Sequence, residues 1–156
     1  MIIAYLPSAL TVRHNNFMST ISQGNLVLYA INAGGTVGTD QGTMIQAYNN
    51  AVTTQSMITP TAPKWYMFVA TFDGPNSLTK LYMNGVKTAE GPCSNTGSYL
   101  GYSVNGIVNA GGSILSATDS SFNFVTARVW RSTVLTQTDV NSYKTYYQNA
   151  YGITLN

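Results

Sequence analysis

Apolar residues recur at every second position, or run together in short stretches, along most of the chain. This spacing predicts β-strands, because successive side chains of a strand point to opposite faces of its sheet. Clusters of Gly, Pro, Asn and Ser separate the stretches and indicate turns. The predicted strands are residues 2–6, 17–22, 25–31, 44–48, 52–58, 65–72, 78–83, 86–89, 98–104, 106–109 and 120–131.

The stretch 65–86 has the clearest pattern, and the rest of the prediction is organised around it. Its first strand, 65–72, is apolar on both faces, so one face should meet a second sheet and the other must also be covered. Residues 73–76, DGPN, have turn composition. The dipeptide Asn84-Gly85 is typical of a type I′ hairpin turn, in which both residues need positive φ. We therefore predict a three-stranded antiparallel meander here.

The C-terminal residues change from the strand period to the helix period. Thr136 and Asp139 fit a capping box, in which a hydroxyl and a carboxylate bond free N–H groups at a helix start. Gly152 is a typical residue just beyond a helix end. The stripe between them consists of Val140, Tyr143, Tyr147, Ala150 and Tyr151. We predict one short C-terminal helix, whose tyrosines are packing residues, in an otherwise all-β chain.

Composition narrows the class of protein. Charged side chains make up only 8% of the 156 residues, the net charge is +2, and the seven Lys and Arg residues form no cluster. A nucleic-acid-binding surface is therefore not expected. The length predicts a single domain, 1–156. The single cysteine, Cys93, excludes an intrachain disulfide.

Nothing in the sequence predicts membrane insertion. The longest apolar run, near residues 26–31, is far shorter than the roughly 20 residues that cross a bilayer. The first ten residues are apolar, but they lack a basic segment and a small-residue cleavage site. We therefore predict an early strand there, and no signal peptide.

Three ordered motifs carry a family resemblance: WYMFVATFDG, then LYMNGV, then ARVWRSTVLTQTDVNSYKTYYQNAYG. Together they resemble the laminin-G-like, concanavalin A-like jelly-roll superfamily. The matching residues are Trp65, Val69, Thr71, Phe72, Asp73, Gly74, Leu81, Tyr82, Asn84, Gly85, Arg128, Val129, Trp130, Leu135, Thr136, Asp139 and Val140. The resemblance implies an antiparallel β-sandwich. Residues 1–60 match it only loosely, so the fold is expected to be pared down or completed by a neighbouring subunit.

The residues do not favour catalysis. Glycan hydrolases of this superfamily need two carboxyl groups flanking the scissile bond, whereas this chain has one glutamate, Glu90, and four aspartates. The only histidine, His14, has no serine nucleophile motif to serve. We predict that the protein is not an enzyme.

Calcium is weighed separately, because many members of the superfamily bind it in loops. A Ca²⁺ ion takes six to eight oxygen ligands, normally with two or more carboxylates. The plausible donors, Asp40, Asp73 and Asp119, belong to three different predicted loops. We expect no cofactor, and these three aspartates are the weak candidates for Ca²⁺.

Tyrosines beside amide side chains are the candidates for a ligand site. A tyrosine ring can stack on the flat face of a sugar, while Asn and Gln hydrogen-bond its hydroxyls. The candidate carbohydrate-binding residues are Tyr48, Asn49, Asn95, Tyr99, Tyr102 and Asn105. The alternative is that these tyrosines pack under loops or in a subunit interface.

Two functions follow from these observations. The first is a non-enzymatic module that binds carbohydrate or a cell-surface receptor, displayed on a virion or another extracellular assembly. The second is a structural virion or filament component without a ligand of its own, since low charge and Ser, Thr, Asn and Gly richness resemble phage fibre, spike and head-decoration proteins. The expected partners are a glycan or receptor and either further copies of the chain or other virion proteins.

Overall fold

The structure of the protein is a computed structural model that describes residues 1–6, 14–20, 27–31, 45–49, 52–56, 61, 63–92, 102–103, 123–130 and 133–156. Side chains are described for residues 1–6, 54, 61, 63–92, 125–130 and 133–156. The strands and the helix are β1 (Ile2–Leu6), β2 (His14–Thr20), β3 (Val27–Ile31), β4 (Ile45–Asn49), β5 (Val52–Ser56), β6 (Lys64–Asp73), β7 (Leu78–Met83), β8 (Val86–Pro92), β9 (Tyr102–Ser103), β10 (Asn123–Ala127) and α1 (Gln137–Tyr151).

The strands form two antiparallel sheets. Sheet A has the order β10-β1-β6-β7-β8, and sheet B has the order β5-β4-β3-β2-β9. The predicted all-β sandwich with one short C-terminal helix is confirmed. The strand predicted at 106–109 lies outside the described residues. Within the part of the chain that is described, no helix is both long and apolar enough to span a bilayer.

The predicted meander forms one side of sheet A, from the central strand β6 to the edge strand β8. Strands β6, β7 and β8 pair in sequence order. The first turn is held by the Asp73 carboxylate, which accepts hydrogen bonds from the backbone N–H of Asn76 at 3.2 Å and from its side-chain amide at 2.8 Å. The second turn has φ of 52° at Asn84 and 87° at Gly85, as the predicted type I′ turn requires.

Asn84 also ties this turn to strand β6 and to the chain end. Its side-chain oxygen accepts the N–H of Met67 at 2.8 Å, and its own N–H donates to the Met67 carbonyl at 2.9 Å. Its amide nitrogen donates to the carbonyl of Asn156. The residue is buried, so a substitution would leave the Met67 N–H without a partner.

Both faces of the central strands of sheet A are covered, as the two apolar faces of β6 predict. One face belongs to a core cluster that contains Phe68 and Leu81. The other face, with Met67 and Tyr82, belongs to a second core cluster. The helix and the chain around it supply the rest of that second cluster through Leu135, Val140, Tyr147 and Leu155.

The helix begins and ends where the capping signals predict. The Thr136 hydroxyl accepts the N–H of Asp139, and the Asp139 carboxylate accepts the N–H of Thr136. Gly152 ends the helix with φ of 63°. Tyr147 is buried against sheet A, as predicted for a packing residue, whereas Tyr151 is 55% exposed and stacks on the Tyr147 ring at 5.8 Å.

Candidate functional site

The contact between Thr54 and Gly91 shows how the two sheets face each other. Thr54 of β5 is buried, and a Cβ atom added at Gly91 of β8 would lie 2.6 Å from its hydroxyl oxygen. Gly91 is paired with Thr79, which shares a face of β7 with Leu81 of the first core cluster. Thr54 therefore lies on the inner face of sheet B, against the face of sheet A that is opposite to the helix.

The opposite face of sheet B has no described helix or strand packed on it. The helix covers the far side of sheet A, and the described contacts between the sheets come from strands β4 and β5 against β7 and β8. We call this surface the outer face of sheet B. It is defined by the strand positions that alternate with those on the Thr54 face, together with the positions that pair with them in neighbouring strands.

Pairing register places most residues of the outer face in two rows that cross the strands, and one further pair, His14 with Ile31, lies beyond the first row. Residues directly opposite each other in neighbouring strands lie on the same face. The first row contains Gln55, Gln46, Tyr29 and Asn16. The second row contains Thr53, Tyr48, Val27, Ser19 and Ser103. The two rows thus bring two tyrosines and three amide residues to adjacent positions on one face.

The candidate residues predicted from the sequence are distributed over different places. Tyr48 lies on the outer face of sheet B. Asn49 follows Tyr48 within β4, so it occupies a register position on the Thr54 face. Tyr102 lies on that face as well, because it pairs with Thr20, the residue after Ser19 of the second row. Asn95, Tyr99 and Asn105 lie outside the described residues, so their role stays a prediction.

Tyr29, Gln46, Gln55 and Asn16 were not among the predicted site residues. Tyr29 was assigned to a strand with two apolar faces, which gave no reason to separate it from its neighbours. The signal that identifies it is its pairing with Gln46, two residues from Tyr48 on β4. That relation depends on the register of β3 against β4, and hydrophobic alternation alone does not determine it.

The aromatic rings of the first core cluster are buried and make their contacts within the fold. Tyr66 and Phe68 are buried and stack with their ring centres 5.3 Å apart. The Tyr66 hydroxyl donates to the carbonyl of Thr61 at 2.8 Å and accepts the N–H of the same residue. These rings therefore stabilise the sandwich and are not available to a ligand.

The predicted acidic candidates have structural explanations where they are described. Glu90 forms an exposed ion pair with Lys87 at 2.8 Å, and this hydrogen bond lowers the pKa of the Glu90 carboxyl. A general acid needs a raised pKa instead. Asp73 holds its own turn, and Asp40 and Asp119 lie outside the described residues. No group of three His, Cys, Asp or Glu side chains suited to a metal occurs in the described part of the chain.

Comparison with known proteins shows the fold. No family model matches the chain, and no curated protein sequence matches it. The structure is similar to a native heptameric SAP-like pentraxin from Limulus polyphemus, with a TM-score of 0.61 and 16% identity, over 92% of this chain and 68% of that one. It is also similar to a protein from Bacteroides ovatus ATCC 8483 assigned to carbohydrate binding, with a TM-score of 0.55 and 18% identity.

The second similarity covers 79% of this chain but 34% of the Bacteroides protein, so the chain spans about a third of that protein's length. Both neighbours support the predicted β-sandwich jelly roll, and neither is described as an enzyme. The expected virion origin stays a prediction.

Proposed function

We propose that this chain is a non-enzymatic, lectin-like module that binds carbohydrate on the outer face of sheet B. The observation that carries the proposal is the pair of cross-strand rows, which place Tyr29 and Tyr48 beside amide residues on a face with no described element over it. Among the described residues, the central strands of sheet A offer no such surface, because the helix and sheet B cover their two faces.

The residue types on this face suit sugar chemistry. A sugar ring presents C–H groups on one side, which pack on an aromatic ring, and hydroxyl groups around its edge, which both donate and accept hydrogen bonds. Amide side chains donate and accept as well, so Gln46 and Gln55 can match hydroxyls of either orientation. A sheet face with rings and amides in rows can therefore contact a sugar without a deep pocket.

The two structural neighbours support a binding role. One is assigned to carbohydrate binding, and the other is a heptameric pentraxin. Single shallow sites bind weakly, and several copies on one assembly raise the overall avidity without new contacts. We therefore include in the proposal that the chain works as a homo-oligomer displayed on an extracellular surface.

A glycan array with single-site variants tests the function. We expect the unaltered chain to bind at least one glycan class, and Tyr29→Ala and Tyr48→Ala each to weaken binding about tenfold, because each removes a stacking ring. Tyr146→Ala is the matched control, since Tyr146 is a 56% exposed tyrosine on the helix and lies outside both sheets. It should bind like the unaltered chain.

Thermal melts of the three single variants and of the Tyr29→Ala with Tyr48→Ala double variant separate loss of binding from loss of folding. The proposal is wrong if no glycan binds at high avidity. It is equally wrong if the double variant Tyr29→Ala with Tyr48→Ala melts normally and binds as well as the unaltered chain.

A further inference from the structure

We infer that the ligand of the outer face of sheet B is a neutral glycan segment, which lies across the strands and is held without a metal ion. This inference rests on the proposed function and names the class of sugar. It is carried by the identity and the register of the strand residues that share this face.

The first argument is charge. None of the positions in the two rows is Asp, Glu, Lys or Arg. Sulfated and carboxylated sugars are held by Arg and Lys, whose charge-assisted hydrogen bonds offset the loss of solvent around the anion. A face that offers amides, hydroxyls and rings instead binds hydroxyl groups best.

The positions of the basic residues agree with this. The described Lys and Arg residues belong to sheet A, to the segment after β10 or to the helix, and Arg13 and Arg131 lie outside the described residues. The described basic residues are Lys64, Lys80, Lys87, Arg128 and Lys144. Of these, Lys87 already pairs with Glu90 at 2.8 Å. Within the described residues, therefore, sheet B has no Lys or Arg to receive an anionic sugar, and its one basic residue is His14 at the start of β2.

The second argument concerns the metal ion. Ca²⁺ bridges a lectin and a sugar only when carboxylate and carbonyl oxygens hold it beside the ligand. The two rows contain no carboxylate. Asp73, the described calcium candidate, lies at the end of β6 in sheet A and accepts two hydrogen bonds from Asn76. The proposed sugar contacts are thus made by the protein directly.

The third argument is the shape of the first row. Gln55, Gln46, Tyr29 and Asn16 stand on four neighbouring strands, which are spaced about 4.8 Å apart, so the row extends roughly 14 Å across the sheet. Amide residues flank the ring position on both sides. This row is longer than one sugar unit, and it fits several units of a chain that runs across the strands.

The experiment compares matched sugars under two metal conditions. The probes are immobilised neutral oligosaccharides of increasing length and their sulfated and sialylated counterparts, read once with millimolar Ca²⁺ and once with EDTA. We expect binding to the neutral series, affinity that rises with length, and the same Kd in both conditions. Gln46→Ala should weaken binding about fivefold, because it removes one hydrogen-bonding amide. Asn149→Ala, an exposed amide on the helix, is the control and should change nothing.

The outcomes separate this inference from the function on which it rests. Binding confined to sulfated or sialylated sugars, or binding abolished by EDTA, overturns the inference and leaves a carbohydrate-binding module. Neutral binding that is unchanged in a normally folded Gln46→Ala variant overturns the placement along this row. The absence of binding to every probe overturns the inference and the proposed function together.

Discussion

The two sheets of this protein differ in what covers them and in the role of their residues. Sheet A lies between sheet B and the helix, and both faces of its central strands are apolar and buried, as Phe68 and Met67 of β6 illustrate. Sheet B meets sheet A on the Thr54 face and carries tyrosines and amides at the register positions of its outer face. One sheet is therefore a two-sided core, and the other is a core on one side and a candidate recognition surface on the other.

This difference shows why the motifs that resemble a family say little about ligand binding. Two of the matching residues, Asp73 and Asn84, hold sheet A together: Asp73 accepts the N–H of Asn76 in the turn after β6, and Asn84 accepts the N–H of Met67 within β6. Thr136 and Asp139 cap the helix that covers the same sheet. The residues that carry the resemblance maintain sheet A and its helix, whereas the proposed ligand-binding residues belong to sheet B, whose described strands contain none of them.

The largest expected effect is on the core between the sheets. Phe68→Ala removes a fully buried ring that stacks on Tyr66, and we expect it to lower the free energy of unfolding by about 3–5 kcal/mol. Gln46→Ala on the outer face of sheet B should change it by less than about 0.5 kcal/mol. Urea denaturation of both variants measures the contrast. Equal losses would show that the outer face of sheet B is as covered as sheet A.

Much of sheet A could be predicted from the sequence, because its determinants are local. The Asn84-Gly85 dipeptide favours a turn with two positive φ angles because Asn and Gly adopt positive φ at low cost, and the capping box satisfies helix N–H groups from within four residues. Alternation on 65–72 showed that both faces would be buried. What covers the second face could not be read locally, because the helix that does so lies far away in the sequence.

The candidate site could be predicted only in part, because it depends on register. Tyr48 was identified through its neighbours in sequence, but Asn49 follows it within β4 and so shares a face with Thr54. Tyr29 joins Tyr48 only through the pairing of β3 with β4. Asn16 joins the row through a strand whose register shifts between Asn16 and Met18. A one-residue slip would exchange the two faces of any of these strands.

A smaller effect tests the assignment of faces directly. Gly91→Ala would place a methyl group 2.6 Å from the Thr54 hydroxyl, and we expect this overpacking to cost about 1–3 kcal/mol of unfolding free energy. Thr54→Ala removes the hydroxyl, which has no hydrogen-bond partner in the described structure, and makes room for that methyl group. The double variant should therefore lose less stability than the sum of the single variants.

Urea denaturation of the two single variants and the double variant completes this cycle. Thr79→Ala provides a matched control, since Thr79 pairs with Gly91 but belongs to sheet A. Strict additivity between Gly91→Ala and Thr54→Ala would mean that Thr54 does not face sheet A. The two faces of sheet B would then have to be exchanged, and Asn49 and Tyr102 would share the outer face in place of Tyr29 and Tyr48.

The smallest expected effect concerns the helix that covers one face of sheet A. Thr136→Ala removes the helix cap, and we expect it to cost about 1 kcal/mol of unfolding free energy at neutral pH. The hydrogen bonds from the Thr136 hydroxyl and N–H lower the pKa of Asp139. A lowered carboxyl pKa in the folded state contributes stability above the ordinary aspartate pKa, and this contribution is lost as pH falls through the folded value. The difference in stability between Thr136→Ala and the unaltered chain should therefore narrow in acid.

Thermal melts from neutral to acidic pH measure this narrowing, with Thr138→Ala, an exposed helix residue outside the cap, as the control. Sugar binding should stay unchanged in Thr136→Ala at neutral pH, because the helix stabilises sheet A and the proposed ligand lies on the far side of sheet B. A binding defect in a Thr136→Ala protein that is still folded would show that the cover of one sheet and the recognition surface of the other are coupled, which the separation of their contacts does not predict.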